Sequence, residues 1–488
     1  MKPCWQNWLS GPALLCCLAS ATAQTPAKPA EADLAARESA CYRIEDVRVP
    51  HGIEFEVSGM AFQPDGRLMV CTRRGEVWTA DLQKERWTLF ASGLHEPMGL
   101  LVTGPNQIVV AQRPELTRIT DTDGDGKADR FERLADSWGL SGNFYEWHAG
   151  PVRDAAGNFY GVLATSFENG GVSWVPYRGW AYQLNTAGEF VPWCSGLRSP
   201  GGVGISPDGE IFSTEPRGDW FGALALLHLT RGAFCGHPAS LRWEPGYSGS
   251  ANAAKLSPDK LAVPRKLPAA WFVYDRPGRA PSEPAWDTTA GKFGPFAGQM
   301  FVGDQIKSLV MRVALEKVGG EYQGAVIPFR SGFASGVHRL AWDRDGRLYV
   351  GQMARGWPTT GGKPFALQRV SWTGRTPMEI DAVKLTKSGL DITFTKPVDP
   401  ATATEPATYA LEHFYYHYSR SFVSPPVDVT PVAVQTAPVS SDRLTVSLKL
   451  QALTPHRVYA IRIKGVKAAD GEALLHPETY YTLNRLRE

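Results

Sequence analysis

The sequence has little that would suit a membrane, nucleic-acid-binding or haem protein. After residue 23, no apolar run approaches the roughly 18 residues that span a bilayer. The formal net charge is only +2, and no run of Lys and Arg stands out, which argues against a nucleic-acid partner. No Cys-x-x-Cys-His motif occurs, so covalent haem attachment within this chain is excluded. We therefore expect a soluble mature protein with a different kind of ligand.

Cysteine is also scarce, with 7 residues in a chain of 488. The cysteines beyond the N-terminal region are Cys41, Cys71, Cys194 and Cys235. In an oxidising compartment four cysteines can form one or two disulfides. Three pairing schemes for two disulfides stay open.

The N-terminal region has the features of an export signal. Residues 1–23 contain the early charge of Lys2, an apolar stretch and the cleavage-site pattern Ala21-Thr-Ala23. The alternative is a short buried helix. Residues 24–40 are rich in Pro, Ala, Lys and Glu without periodicity, which predicts a flexible linker. We expect export to the periplasm or the extracellular space.

A short unit recurs through residues 41–373. Each copy has a glycine-led apolar strand, a turn that favours Asp-Gly or Asn, and a second strand. The copies lie about 40–50 residues apart, which is the period of a four-stranded propeller blade. The six copies are led by Gly59, Gly99, Gly150, Gly202, an irregular unit at Gly294–Asp304, and Arg339. The pattern predicts an all-β fold with a six-bladed β-propeller; the alternative is an unclosed array of sandwich hairpins.

The sequence pattern changes in residues 374–488, where segments of alternating apolar and polar residues predict strands but the Asp-Gly blade turns are missing. This pattern predicts a C-terminal β-sandwich of the immunoglobulin or fibronectin type. Phe414, Tyr416 and Tyr418 share one face of a strand. Such a stripe is more often core than a platform for sugars, and we favour core.

The loops before the innermost strands of a propeller open onto one end of its central channel. The residues four positions before the leading residue of each regular repeat are Phe55, His95, Glu146, Arg198 and Ser335. Those two positions before it are Val57, Pro97, His148, Pro200 and Val337. The first set is polar apart from Phe55, and the second is apolar apart from His148. A polar ring with one exceptional histidine predicts a functional site on this face.

His148 and Arg198 are the main candidates for that site. A histidine with an ordinary pKa could take a proton from a substrate hydroxyl. The alternative for His148 is a histidine satisfied by neighbouring backbone or by Glu146. Arg198 suits an anionic ligand, and an ion pair between blades is equally compatible with it. Weaker candidates on the same rim are Trp147, Lys307, His338 and Arg339.

An acidic segment matches the calcium-loop pattern D-x-[DN]-x-[DN]-G-x5-E at every position. Ca²⁺ prefers clustered oxygen ligands, and Gly126 permits the sharp turn that such a loop needs. Because the preceding segment is strand-like, we expect a structural calcium loop inserted in a blade; the alternative is an acidic hairpin loop without metal. The predicted ligand positions are Asp121, Asp123, Asp125, Lys127, Asp129 and Glu132.

Two segments resemble the soluble quinoprotein sugar dehydrogenases, a superfamily of six-bladed propellers that includes glucose and sorbosone dehydrogenases. They are His148-Ala-Gly-Pro-Val-Arg-Asp-Ala-Ala-Gly157 and Gly196-Leu-Arg198-Ser-Pro-Gly-Gly. The segments 70–78, 114–126 and 236–243 are similar to a branch of large secreted propellers common in planctomycete-type bacteria and often labelled membrane-bound dehydrogenase-like. Ser199 stands where the family has asparagine, and the segment Glu215–Asp219 is shorter than its counterpart.

The resemblance implies an exported oxidoreductase that oxidises a sugar or alcohol with pyrroloquinoline quinone (PQQ), assisted by Ca²⁺. It implies that His148 is the general base and that Arg198, Ser199, Lys307 and Arg339 bind the cofactor. A cytochrome is a plausible electron acceptor. The main alternative is a non-catalytic propeller that binds a glycan or a protein. A hydrolytic propeller is a further alternative, and its channel metal would need ligands such as His95, Glu146 and Glu54 or Glu56.

Overall fold

The structure is a computed structural model that describes residues 29–166, 172–249, 253–261 and 263–488. The predicted export signal, residues 1–23, lies outside the described residues. The described chain begins with helix α1 (Pro29–Cys41), which leads directly into strand β1 (Tyr42–Asp46). No helix in the described ranges is both long and apolar enough to cross a membrane.

Six sheets follow one another along residues 42–372. Strands that are consecutive in the sequence pair antiparallel within each sheet, except that the short strand at Pro277–Gly278 pairs parallel with Ala270–Tyr274. Blade 1 contains β2 (Val57–Phe62), β3 (Leu68–Thr72), β4 (Glu76–Asp81) and β5 (Arg86–Ala91). Blade 2 contains β6 (Leu100–Gly104), β7 (Gln107–Ala111), β8 (Leu116–Thr120) and β9 (Arg130–Ala135). Blade 3 contains β10 (His148–Arg153), β11 (Phe159–Leu163), β12 (Trp180–Leu184) and β13 (Phe190–Ser195).

The other three blades have the same order, and a two-residue strand extends the fourth. Blade 4 contains β14 (Gly202–Ile205), β15 (Ile211–Glu215), β16 (Leu224–His228), β17 (Ala270–Tyr274) and β18 (Pro277–Gly278). Blade 5 contains β19 (Pro281–Trp286), β20 (Met300–Asp304), β21 (Leu309–Val318) and β22 (Glu321–Arg330). Blade 6 contains β23 (Val337–Trp342), β24 (Leu348–Met353) and β25 (Phe365–Trp372).

Strand β1 supplies the outermost strand of the sixth blade. It pairs antiparallel with β25, from Tyr42 opposite Trp372 to Asp46 opposite Gln368. The first described strand is thereby joined to the last blade, and the ring of sheets closes. The predicted six-bladed β-propeller is confirmed.

Close approach of the innermost strands explains why the repeats begin with glycine. A Cβ atom on Gly59 would collide with the backbone of Gly99, and one on Gly99 would collide with the carbonyl group of Gly150. Only glycine lets the inner strands of blades 1, 2 and 3 come this close.

The fifth repeat is the irregular one, and its predicted position is partly wrong. The innermost strand of blade 5 is β19, which lies before the predicted unit at Gly294–Asp304. That unit covers the turn and the second strand, β20. Pro281 and Pro284 interrupt β19 and obscured its strand pattern in the sequence.

The C-terminal region consists of two sheets that enclose one apolar core. The elements are β26 (Ile380–Leu385), β27 (Gly389–Phe394), α2 (Pro400–Ala403), β28 (Tyr409–Tyr415), β29 (Val427–Val432), β30 (Val434–Thr436), β31 (Thr445–Leu450), β32 (Arg457–Ile463) and β33 (Glu478–Leu483). One sheet continues the sheet of blade 5, because β33 pairs with β22, and it adds the strands in the order β33, β32, β28, β29. The facing sheet has the order β26, β27, β31, β30.

The aromatic stripe of the C-terminal region belongs to packed surfaces, as favoured from the sequence. Phe414 is only 3% exposed, and the Tyr416 ring lies 5.3 Å from that of Trp271. The Tyr418 ring lies 5.0 Å from the Trp220 ring. The four cysteines of the described chain are all buried as free thiols.

Helix α1 corrects the prediction of a flexible linker over residues 24–40, at least from residue 29 onward. Glu38, on this helix, is 2% exposed and accepts a hydrogen bond of 2.8 Å from Arg330. Its other carboxylate oxygen lies 3.1 Å from Nε2 of His476, whose Nδ1 lies 2.5 Å from Glu379. Composition did not reveal this helix because its partners are hundreds of residues away.

This buried cluster predicts a pH-dependent stability. Burial alone would lower the pKa of His476, but the Glu379 and Glu38 carboxylates outweigh it and raise the pKa to about 9. The pKa of His476 is thus higher in the folded protein than in the unfolded chain, where it is about 6.5, so protonation of this histidine stabilises the fold. The stabilisation is fully present below pH ~6.5 and is lost as the pH rises toward 9. We expect His476 to contribute about 3 kcal/mol of stability at pH 6.

Urea unfolding at pH 6 and pH 9.5 measures this contribution. The free energy of unfolding should fall more between these pH values in the wild type than in His476→Gln. Equal falls in the two proteins would contradict the assignment.

Candidate functional site

A cavity of about 440 Å³ opens on the face formed by the loops before the innermost strands. Residues just before or at the start of β6, β10, β14, β19 and β23 line it, as the repeat register predicts. The cavity is large enough for a cofactor-sized small molecule.

Three further loops line the cavity, and the sequence pattern identified only parts of two of them, namely Lys307 and the segment Glu215–Asp219. They join the second and third strands of blades 4, 5 and 6 and contribute Pro216, Arg217, Gln305, Ile306, Arg355 and Trp357. In an antiparallel blade these loops lie on the same face as the loops that enter the innermost strands. These loops could therefore have been identified from the order of the strands, because Arg217-Gly and Arg355-Gly-Trp each follow the second strand of a blade.

Arg198 and Ser199 line the cavity in the position predicted for them. Their backbone N–H groups donate to the Glu215 carboxylate at 3.1 and 2.5 Å. The Arg198 side chain donates from Nε to Asp219 at 2.5 Å, and Asp219 in turn lies 3.1 Å from Nε2 of His237. The short segment from Glu215 to Asp219 therefore fixes Arg198 at the cavity wall.

Two carboxylates of this segment differ in their electrostatic state. Burial raises the pKa of Glu215 to about 7, although backbone N–H groups and Arg198 oppose the shift. Burial also acts to raise the pKa of Asp219, but His237 and Arg198 outweigh it and hold the pKa below its usual range. Asp219 is therefore the anion that balances Arg198.

His148 does not line the cavity, contrary to its prediction as the general base. It is fully buried, with Nδ1 at 3.0 Å from the Gln112 carbonyl and Nε2 at 2.8 Å from the Tyr182 hydroxyl. Its ring lies 4.7 Å from that of Trp138, and burial lowers its pKa to about 3. Side chains alternate along a strand, so it is the preceding residue, Trp147, that reaches the cavity. His148 is a packing residue between blades.

Arg339 and Lys307, predicted to bind the cofactor, also lie off the cavity wall. Arg339 is 1% exposed and donates to the carbonyl oxygens of Met98, Gly201 and His338 at 2.6, 3.2 and 2.9 Å. It therefore ties the inner strands of blades 2, 4 and 6 together. The Lys307 ammonium group lies 3.0 Å from Asp275 and balances that carboxylate.

Three residues of the cavity carry buried polar atoms that have no hydrogen-bond partner within the described ranges. They are both ring nitrogens of His338, Nε of Arg355 and Oγ of Ser282. Buried polar atoms normally find a partner, so such a group of orphaned atoms points to a bound molecule or water. His338 was only a weak candidate in the sequence, because its position one residue before Arg339 matches neither set of loop positions.

The charge of the cavity is positive. Arg198, Arg217, Arg279 and Arg355 line it, whereas no Asp or Glu of the described chain does. Behind the wall, Asp219 pairs with Arg198 and Asp275 pairs with Arg279, each at 2.5 Å, so the positive charge comes from Arg217 and Arg355. Burial and Arg73 lower the pKa of Arg355 to about 10, so its side chain is still cationic at neutral pH. Burial, together with Arg339 and Arg355, holds the pKa of His338 well below its usual range, so its imidazole is neutral.

Aromatic rings form much of the remaining wall. Phe144, Tyr145, Trp147, Tyr274, Trp357 and Phe422 line the cavity. The Arg355 guanidinium lies 5.3 Å from the Phe144 ring and 4.8 Å from the Trp147 ring, and that of Arg217 lies 3.5 Å from the Tyr274 ring. Cations held between aromatic faces suit a ligand that is both planar and anionic.

Two of the residues suggested as ligands of a channel metal, Glu56 and Glu146, bind other side chains instead. Glu56 pairs with Arg73 at 2.8 Å and with Arg74 at 3.0 Å. Glu146 accepts hydrogen bonds from Ser141 and Ser166. Within the described ranges, the one cluster of three or more metal-ligating side chains lies elsewhere, in the acidic loop of blade 2.

That loop joins β8 to β9, so strands flank it, as expected. Oxygen atoms of Asp121, Asp123 and Asp129 lie within 4.8 Å of one another. Asp121 accepts from the N–H groups of Gly124 and Gly126 at 2.7 and 3.0 Å, which curls the loop around its carboxylate.

The other three predicted ligand positions lie outside this cluster. The Asp125 carboxylate accepts from the Lys127 N–H at 2.8 Å. Glu132 lies on β9 and pairs with Arg130 at 2.7 Å. The cluster therefore contains half of the predicted set.

Comparisons with known proteins bear on the fold. A family model described as a domain of unknown function (DUF7133) matches residues 56–216. No curated protein matches the chain. Among solved structures, a glucose dehydrogenase has a TM-score of 0.50 and 15% identity, covering 68% of this chain and 99% of its own.

Two aldose sugar dehydrogenases are also similar. The PQQ-bound form from Streptomyces coelicolor has a TM-score of 0.49 and 14% identity, covering 68% of this chain and 98% of its own. The soluble apo-form from Escherichia coli has a TM-score of 0.48 and 15% identity, covering 68% of this chain and 99% of its own. At these identities the likeness concerns the fold: this chain contains the propeller fold of a glucose dehydrogenase.

Proposed function

We propose that the cavity binds a planar, anionic quinone cofactor of the PQQ type and that the protein oxidises a sugar or alcohol there. The observation that carries this proposal is the set of orphaned polar atoms on His338, Arg355 and Ser282 in a cationic, aromatic cavity. The sequence resemblance around Arg198 supports the same ligand. The proposal includes export of the protein and an external electron acceptor such as a cytochrome.

The residues present fit a tricarboxylate with a flat ring system. Arg217 and Arg355, which pair with no carboxylate within the described ranges, supply planar cations for carboxylates, and the rings of Trp147 and Tyr274 can pack on flat faces. Arg198 also lines the site, with its Nε held by Asp219, whereas Arg279 is bonded to Asp275 through two nitrogens. When bound, such a cofactor accepts the hydride equivalent from the substrate. The protein's part is to orient both molecules and to move the proton.

His338 is the residue that we propose takes the hydroxyl proton of the substrate. Its imidazole lines the cavity, is neutral, and has both nitrogens unused within the described ranges. Arg355, nearby, disfavours a second positive charge, so protonated His338 would release its proton readily. This role replaces the one predicted for His148.

A glycan-binding propeller without chemistry is the second candidate. Phe144 and Trp357 are 45% and 49% exposed at the cavity, and exposed aromatic rings are suited to stacking on sugars. Turnover distinguishes the two functions, because both allow sugar binding and only one allows dye reduction.

We also propose that the acidic loop of blade 2 binds Ca²⁺ as a structural ion. The clustered oxygens of Asp121, Asp123 and Asp129 repel one another without a cation, and Ca²⁺ would relieve that repulsion. The site is separate from the cavity.

Substitution of His338 tests the proposed dehydrogenase function. Reconstitution of the purified protein with PQQ and Ca²⁺ should give dye reduction with members of an aldose panel. His338→Gln should bind PQQ within about threefold of the wild type and lose at least about 100-fold in turnover, the usual contribution of a general base. Because the pKa of His338 is lowered, turnover of the wild type should not fall as the pH is reduced from 8 to 6.

His95→Gln is the matched control, because His95 lies on the same face outside the cavity wall. Its turnover should equal that of the wild type. If the reconstituted wild type shows no quinone absorbance and no turnover, the dehydrogenase proposal is refuted. Sugar binding without turnover would favour the second candidate.

A separate test concerns the calcium loop. Addition of 1 mM Ca²⁺, about 100 times a Kd in the 10 μM range, should raise the Tm of the wild type by a few degrees. Asp123→Asn should abolish most of the rise. The control is Asp208→Asn, which changes an exposed blade-turn aspartate. An undiminished rise in Asp123→Asn would show that the ion binds elsewhere.

A further inference from the structure

The loop between β28 and β29 leaves the C-terminal region and crosses to blade 4 of the propeller. The Trp220 N–H donates to the Ser419 carbonyl at 2.9 Å, and the Ser424 N–H donates to the Gly222 carbonyl at 3.0 Å. A Cβ atom on Gly222 would collide with the Ser424 side chain. The loop is therefore held closely against the propeller backbone at two points.

Side chains anchor the same loop. The Tyr418 hydroxyl donates to the Gly236 carbonyl at 2.5 Å, and its ring lies 4.5 Å from the Arg265 guanidinium. Arg420 donates to the Lys255 carbonyl at 3.1 Å. These partners lie in the long insertion between β16 and β17, so the loop and the insertion support each other.

The loop carries Phe422 to the cavity. Phe422 is one of the residues that line it, and its ring centroid lies 5.4 Å from the guanidinium carbon of Arg198. Gly218 packs against the same guanidinium, where a Cβ atom would collide with it. Arg198 is 2% exposed as a result of this enclosure.

We propose that Phe422 is a positioning residue of the ligand site: it covers Arg198 and completes the cavity wall, so that the C-terminal region takes part in binding an anionic ligand. The inference deepens the proposed function, because it concerns the same cavity. The position of Phe422 gives the C-terminal region a role in the site besides packing.

The physical basis is the exclusion of water. A cation attracts a carboxylate more strongly when less water surrounds the pair, and an aromatic face also stabilises the cation itself. The covering ring limits the side-chain freedom of Arg198, whose Nε is already fixed by Asp219 at 2.5 Å. A ligand carboxylate would then meet a preoriented guanidinium.

The direct test measures the accessibility of Arg198 without any ligand. The full-length protein is treated with phenylglyoxal, which modifies arginines, and the modification of Arg198 is followed by peptide mass spectrometry. Phe422→Ala should increase the modification rate of Arg198 at least about threefold, a change of the size expected when a cation–π contact is lost. Phe422→Tyr should keep the wild-type rate.

Phe131→Ala is the matched control, because Phe131 and Phe422 are both 48% exposed and Phe131 lies on β9 away from the cavity. Its rate of Arg198 modification should equal that of the wild type. An unchanged rate in Phe422→Ala would overturn the inference, whatever the ligand of the site is.

A second arm measures PQQ binding by quenching of tryptophan fluorescence. Phe422→Ala should weaken PQQ binding about threefold to tenfold, and Phe422→Tyr and Phe131→Ala should bind as the wild type does. If the wild type itself does not bind PQQ, the proposed function fails, and the modification rates alone decide the role of Phe422. Faster modification with unweakened PQQ binding would refute the role of Phe422 in ligand binding.

Discussion

The pairing of β1 with β25 is the constraint on which the rest of the structure depends. It joins the first described strand to the last blade, so that six sheets form a closed ring. Closure places the loops before the innermost strands at one end of the channel, although those loops are separated by tens of residues in the sequence. Arg339 reinforces this arrangement, because its guanidinium bonds to carbonyl oxygens of blades 2, 4 and 6.

Within that ring the charged groups fall into two classes. At one side of the face, Arg73 and Arg113 are balanced by Glu96 at 2.7 Å each, which leaves little capacity for a ligand. In the cavity, Arg198 and Arg279 are paired with Asp219 and Asp275, which lie behind the wall, whereas Arg217 and Arg355 pair with no carboxylate within the described ranges. Polar atoms of His338, Arg355 and Ser282 also lack partners there. Buried cations and orphaned donors cost stability unless something offsets them. A bound anion would do so, which is why we propose the cavity rather than the ion-pair network as the functional site.

The fold could be predicted from the sequence because the Asp-Gly turns and the leading glycines reflect the backbone geometry within each repeat. The predictions were incomplete where a residue's environment depends on strand packing or on residues that are distant in the sequence. His148 is buried and does not line the cavity, because a shift of one position along a strand moves a side chain to the other face, so Trp147 lines the cavity instead. The contribution of Phe422 depends on contacts with residues about two hundred positions earlier, which no periodicity encodes. Helix α1 was missed for the same reason, since Arg330 and His476 hold Glu38.

The most direct test of the central claim is a crystal structure of the protein soaked or co-crystallised with PQQ. We expect the quinone in the cavity, with its carboxylates near Arg198 and Arg355 and with His338 beside the position open to a substrate. Absence of the quinone from this cavity at saturating PQQ, or its binding at another surface, would contradict the claim.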